Sequence, residues 1–488
     1  MDAIRPIFVM LVMAAAAEAG AHPQHHDGQA LGSVHFPVSC SPAAQAEFDH
    51  GLALLHHMTY PQAREAFARA AAADSGCAMA QWGFATTLFQ PLWPTRPALA
   101  ERQRGWAAVQ RARSVGNVTA LESLFIETAA AFFLEPASED YWHRIRRWEQ
   151  ATERLYESFP EDPEAAAFHA LALLAVQPAA GITRENADRA ADILLRVYQR
   201  NPDHPGAMHY LVHANDVPGR ERELLEITRK YEAAAPRNPH ALHMPTHIYT
   251  RLGDWDGVIR GNLKAAEAAL DYPAGDRGQY VWDEFPHAIE YLVYAYLQKG
   301  ANPDAAAQIE RLRATGNLEP SFKTAFHLAS TQARYALERR DWQRAYDVAA
   351  REPAYLEWDR FPWPESIATY SRGLGAAHLG KLEEARAAKS RLQQLEASAR
   401  SSGEELFARN IHVLTLEVDA WIAHVEGQDD RGLELMQRAV EVEVSTPKHA
   451  VTPAPTLPAP ELLGDLLMEL KRPGDALAAY ERSLELYP

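Results

Sequence analysis

The sequence predicts an all-α protein, an α-solenoid superhelix of antiparallel helix pairs. Three observations lead there. A unit of roughly 34 residues with small and large apolar side chains at fixed offsets recurs along the chain. No stretch of any length alternates with the two-residue period of a strand. The 488 residues are 47% hydrophobic and 23% charged, which excludes collagen-like and extensively disordered classes.

The register is clearest at the C-terminus. Within 457–488, Leu463-Gly464, Leu467, Ala476, Tyr480, Ser483 and Pro488 fall at offsets 7, 8, 11, 20, 24, 27 and 32 of one unit, small where two helices cross and large between them. Gly51, Ala63, Phe67 and Ala70 take offsets 8, 20, 24 and 27 of a unit that begins at Ala44. Central units begin at Pro205, which closes on Pro236, and at Pro239, with Gly253-Asp254-Trp255 as the turn between its helices. Turn-rich residues 271–275 follow. Weaker units start at Pro286, Phe326, Ser366 and Val413, with turns at Gly300, Asp341-Trp342, Gly380 and Gly427. Amphipathic stretches at 120–133, 141–157 and 187–198 continue the pattern in degenerate form. These spacings resemble the tetratricopeptide repeat (TPR) family over most of 44–488. The resemblance implies stacked helix pairs with a concave face lined by the first helix of each repeat. The last unit stops at its offset-32 proline, so Leu486 and Tyr487 are either shielded by something other than a cap helix or form a contact surface.

Residues 1–21 read as a secretory signal peptide: Arg5, an apolar run over 7–17, then small residues around Ala19 and Ala21. The run is shorter than the about 20 residues that span a bilayer, and stable membrane insertion is not expected. The expected location is periplasmic or secreted. An oxidising compartment permits a Cys40–Cys77 bridge, with two buried thiols as the other reading. A net charge of -17 argues against nucleic acid as partner. A His-containing leader, 22–43, precedes the repeats, and a free amine beside His22, His25 or His26 can chelate Cu(II) or Ni(II). Degenerate repeats are expected over 44–200, His-rich repeats over 201–300, further repeats over 301–446, a Pro-rich connector over 447–460 and the last unit's helices over 461–488.

In the repeat family, offsets 2, 5, 9, 12 and 13 of the first helix commonly face the concave groove. Here they are rich in histidine. The Pro205 unit places His209, His213 and Asp216 at offsets 5, 9 and 12, and the Pro239 unit places His240, His243 and His247 at 2, 5 and 9. His287 and Glu290 sit at 2 and 5 of the Pro286 unit. Imidazoles four residues apart share one helical face and bind one ion with nitrogens about 2 Å away. His209, His213, Asp216, His243, His247 and His287 are therefore candidate ligands of a divalent transition metal such as Zn, Fe or Cu. Glu290 is the candidate base for metal-dependent chemistry on a small molecule or peptide. If Pro245 restarts its helix, the 240–243 stretch is a loop and its offsets fail. Two further readings stay open: a groove that cradles a partner peptide or protein, with Tyr249, Arg251 and Tyr294 as contacts, or no special role for the histidines. His56, His449 and Glu461 reach the groove only if the superhelix curves enough.

The segments Met208-His209-Tyr210-Leu211-Val212-His213-Ala214-Asn215-Asp216 and His240-Ala241-Leu242-His243-Met244-Pro245-Thr246-His247-Ile248 resemble those of a broad group of exported bacterial TPR proteins. Cys77-Ala78-Met79-Ala80-Gln81-Trp82-Gly83 and Pro91-Leu92-Trp93 extend the likeness. It implies architecture and the importance of these segments, not a reaction. Phosphate-loop, dinucleotide, Gly-x-Ser-x-Gly and His-Glu-x-x-His motifs are missing.

Overall fold

A computed structural model of the chain describes residues 30–93, 95–138, 140–180, 183–217, 219–275 and 277–487. The signal-peptide segment and the His22, His25 and His26 positions lie outside the described residues. The protein is all-α, built of antiparallel helix pairs from Pro42–His56 with Tyr60–Ala73 to Ala459–Glu469 with Pro473–Leu486. A two-residue antiparallel pairing of Pro273–Ala274 with Tyr280–Val281 sits in the turn-rich gap.

The chain turns the same way after successive first helices. Gly253, Gly300, Gly380 and Gly427 have φ of 65, 67, 72 and 77°, and Arg340 and Lys471 take the same left-handed conformation in their repeats. At Gly300, its N–H bonds Leu297 O at 2.9 Å and the Ala301 N–H bonds Tyr296 O at 2.8 Å; Gly427 and Gln428 repeat the pair on His424 and Ala423. The two bonds satisfy carbonyls the helix end would otherwise orphan, and glycine enters this conformation without a Cβ penalty. The small-large register is also realised at both ends. A Cβ at Gly464 would lie 2.4 Å from the Tyr480 ring, and one at Gly51 would lie 2.9 Å from the Phe67 ring. Only glycine lets those helices approach so closely.

First and second helices differ in burial. Glu284–Gln298 and Phe322–Leu337 are buried around nearly their whole circumference, whereas Asn302–Ala314 buries only Ala305, Ile309 and Leu312. An inner helix needs cover on its concave side, and the Pro-rich connector supplies it. The Arg334 guanidinium donates to the carbonyls of Ala454 at 2.9 Å and Pro455 at 2.8 Å. The Thr452 hydroxyl reaches Glu290, and Lys448 pairs with Asp216 at 2.8 Å. Arg96 grips Glu404, 308 residues away, through two bonds of 2.7 and 2.9 Å, so early and late repeats also meet. Cys40 and Cys77 form a disulfide.

The backbone at Pro245 corrects one expectation. Residues Pro239–His243 form a short helix rather than a loop, and Pro245–Arg251 follows it after Met244, whose φ and ψ of -52 and -40° are helical. Asn238 caps the start by accepting the Ala241 N–H at 3.0 Å. The proline sits in the first turn of the second piece, where its missing N–H costs little. His240, His243 and His247 consequently share a face.

Candidate metal centre

Four consecutive first helices, Pro205–Asn215, the interrupted Pro239–Arg251 piece, Glu284–Gln298 and Phe322–Leu337, bring seven histidines to the inner side of the array. Six of them form two groups of three, in each of which the ligand nitrogens lie within 4.8 Å of one another. One group is His209, His213 and His240; the other is His243, His247 and His287. All but half-buried His213 are fully buried.

The outward nitrogens are tied down. His209 Nδ1 donates to the backbone carbonyl of His56 at 2.6 Å. His240 Nδ1 donates to Glu284 at 3.1 Å, and His247 Nδ1 to Asp216 at 2.9 Å. His243 Nδ1 faces Asn262 Oδ1 at 2.7 Å, and the amide's orientation is fixed because its Nδ2 donates to Val258 O at 2.9 Å. His287 uses a relay: its Nδ1 donates to His327 Nε2 at 3.0 Å, and His327 Nδ1 in turn donates to Glu290.

With the Nδ1 protons so placed, the Nε2 atoms of these five rings are left as lone pairs. Yet they converge. His209 and His240 Nε2 lie 3.0 Å apart, His243 and His247 Nε2 also 3.0 Å apart, and His213 Nε2 is 3.1 Å from His209. His287 Nε2 is buried with no partner. Facing lone pairs in a dry interior repel, and an unsatisfied buried polar atom costs about 1–3 kcal/mol. Protonating the rings is opposed as well. Burial first, and neighbouring histidines second, push His209, His243 and His287 well below the ordinary imidazole range. Two nitrogens at about 2.0–2.1 Å from one ion and about 90–109° apart are separated by roughly 2.9–3.4 Å, which is the spacing seen. Imidazoles oriented through Nδ1 by a carboxylate, carbonyl or amide are the usual surroundings of a bound metal.

A third cluster provides the contrast. His56, Glu164 and His204 also lie within ligand distance. There, however, Glu164 takes His56 Nε2 at 2.7 Å and His204 Nε2 at 3.1 Å, Tyr210 OH meets His56 Nδ1 at 3.1 Å, and His204 Nδ1 caps a helix by accepting the Ala207 N–H. Every ring nitrogen is satisfied, so this cluster is a closed structural network.

Other predicted residues take supporting places. Asp216 stands behind His247, accepting its Nδ1 proton, and also receives Arg251 Nε at 2.9 Å. Burial raises its carboxyl, but Lys448 and Arg251 outweigh that and hold it well below the usual range. Glu290 is fully buried against His327, Thr452 and Arg334. Tyr294 lies 4.8 Å under the Arg334 guanidinium, and Tyr249 packs with Val258 and Tyr291. His449 stacks edge-on with Trp363 and Phe407, while Glu461 pairs with Arg340 at 2.7 Å. It is Lys448 and Thr452, not their neighbour His449, that reach the histidines' supporting carboxylates. His327 and Asn262 were not anticipated. His327 stands at offset 2 of its unit, as His240 and His287 do in theirs, and that signal was available; Asn262, on a second helix, has none.

A cavity of about 360 Å³ opens beside the first triad, with Trp93, Arg96, Tyr141, His213, Lys448 and His449 in its wall. His213 is the one ligand among the six that lines it.

No protein-family model and no curated protein matches the chain. Among solved structures it is similar to the Cut9–Hcn1 hetero-tetramer of the APC/C (13% identity, 91% of this chain and 73% of that one, TM-score 0.42). It is also similar to a human IFIT1 dimer with PPP-AAAA (15%, 89% of each chain, 0.39) and to yeast Tom70 (9%, 89% and 88%, 0.43). At these identities and scores nothing those proteins bind is carried over. Among the described residues, no helix is long and apolar enough to cross a membrane.

Proposed function

We propose that the chain is an exported metalloprotein whose helical array serves as a rigid cage for transition metal. The observation that carries this reading is the convergence of buried Nε2 lone pairs on five rings, His209, His240, His243, His247 and His287, whose Nδ1 atoms are occupied. A donor set of neutral imidazoles, with the carboxylates held one bond further out, suits Cu, Zn, Ni or Fe and not Mg or Ca. Export is supported by the leading apolar segment and by a disulfide, which the cytosol would reduce.

The cavity at His213 gives a small molecule a way to the ligands, which supports metal-dependent chemistry or ligand exchange at that side. Glu290 acts in this reading as a positioning residue, holding His287 through His327. A peptide in the groove would have to displace the 447–460 connector from Asp216, Glu290 and Arg334.

The test is to purify the exported protein without an affinity tag of histidines, reconstitute it with Zn, Cu, Ni and Fe separately, and count bound metal by mass spectrometry. Tight metal in the wild type and loss in His209→Ala/His243→Ala is expected. A wild type that stays empty with all four ions sinks the reading.

A further inference from the structure

Resting on that reading, we infer that the two triads hold a pair of ions, one each, and that only the first of these is open to an incoming ligand. The sequence suggested one site shared by the Pro205 and Pro239 units. The coordinates instead divide the ligands within the chain's second histidine segment: His240 turns to His209 and His213, while His243 and His247 turn to His287. One short helix thus serves both groups.

The groups are adjacent. Across the divide, the His213 and His247 rings are 6.0 Å apart and those of His240 and His243 are 6.2 Å apart, centroid to centroid. Ring spacings inside a triad reach 6.3 and 6.5 Å, so the two groups are no further from one another than their own outer members. Ions held in both triads would be close neighbours, with the facing rings of the two groups 6.0 and 6.2 Å apart. Neutral imidazoles bring no charge to offset four positive charges, and the carboxylates behind them are shared with buried cations: Glu284 behind His240 with Lys323, Asp216 behind His247 with Arg251 and Lys448, and Glu290 behind the His287–His327 relay with Arg334.

The sites are unequal. His213 borders the cavity, whereas His243, His247 and His287 are at most 1% exposed, and Tyr291 covers them with its ring 4.6 Å from that of His243. Three protein nitrogens leave a fourth position on each ion, as in catalytic three-ligand sites. At the first triad a cavity stands in front of that position, at His213. The ligand expected there is a small molecule that binds metal directly; the Arg96 and Lys448 side chains in the same wall are already paired with Glu404 and Asp216.

The experiment loads the full-length exported protein with Cu(II) and measures copper per chain together with the electron paramagnetic resonance spectrum, before and after azide. Two coppers per chain, with a spectrum broadened or silenced by the neighbouring spin, are expected. His209→Ala/His240→Ala and His243→Ala/His287→Ala should each bind one copper and show a sharp isolated signal. Azide should perturb the wild type and the variant that keeps the first triad, and leave the other unchanged. One copper in the wild type overturns the pair while sparing the metal reading. Two coppers with two isolated signals, or azide binding at the second triad, overturn the inference as stated. No copper overturns the inference, and no Zn, Ni or Fe either overturns the metal reading as well.

Discussion

Asn262 shows how much of the centre depends on side chains that orient a candidate ligand rather than serve as one. Its amide holds His243 in the tautomer that leaves Nε2 bare, and losing such a partner typically weakens metal affinity about 10–100-fold. Asn262→Leu, similar in volume, is expected to lose affinity on that scale in a chelator competition, with an unchanged circular-dichroism spectrum. Away from the centre, His378 lies between Trp342, 3.5 Å away, and Trp421, 4.0 Å away. Burial, with smaller effects of Arg340 and His424, lowers it to about 3. The unfolded chain takes a proton on this ring near pH 6.5 and the folded one does not until about 3, so the ring's contribution fades as pH falls between them. His378→Phe should therefore lower the melting temperature more at pH 7.5 than at pH 4.5, and an equal or larger loss at pH 4.5 would contradict the buried neutral ring. At this scale the sequence exposed the positions of the converging histidines through offsets 2, 5 and 9. It could not expose Asn262 or the role of Asp216, because a hydrogen bond to Nδ1 depends on where a neighbouring helix is placed.

At the scale of helices, the array is set by close approaches. Gly375, in Pro362–His378, faces the backbone of Trp342–Tyr346: a Cβ there would lie 2.4 Å from Tyr346 N and 2.6 Å from Trp342 O. Backbone atoms cannot rotate away as a side-chain tip can. Gly375→Ala is expected to cost about 1–3 kcal/mol, read as a lower denaturant midpoint with an unchanged slope. Helix pairing, turn positions and the Gly464–Tyr480 register were legible because they repeat, and repetition turns a weak local pattern into a strong one. The short helix at 239–243 was harder to read. A proline six residues after a helix start predicts a break, and only the first-turn placement of Pro245, with helical backbone at Met244, keeps the three histidines on one face.

Across the whole molecule, two kinds of link make the array more than a row of neighbours. The Cys40–Cys77 bond joins residues 37 apart at the N-terminal end. By loop-closure entropy a bridge of that span is worth about 4 kcal/mol, so Cys40→Ser/Cys77→Ser should lower the unfolding free energy by that amount, and the reductant-treated wild type should match it. The second link is the 447–460 connector, which runs back to the inner helices and meets Arg334, Glu290 and Asp216. Its proline content announces a segment without regular structure; nothing in its sequence announces that it folds inward.

The sequence by itself determined the helices, their pairing and the face on which the histidines stand, because each of those follows from periodicity within about 34 residues. The tertiary structure decided which histidines meet, that they divide into two triads and not one cluster, that His56 and His204 are closed off by Glu164, and that Asp216 and Glu290 stand behind the rings. Those outcomes depend on packing between different helices, from 31 residues apart in the His209–His240 pair to 40 in the His287–His327 step of the relay to Glu290. Angstrom-level differences in that packing separate a satisfied imidazole from one whose lone pair is left facing another.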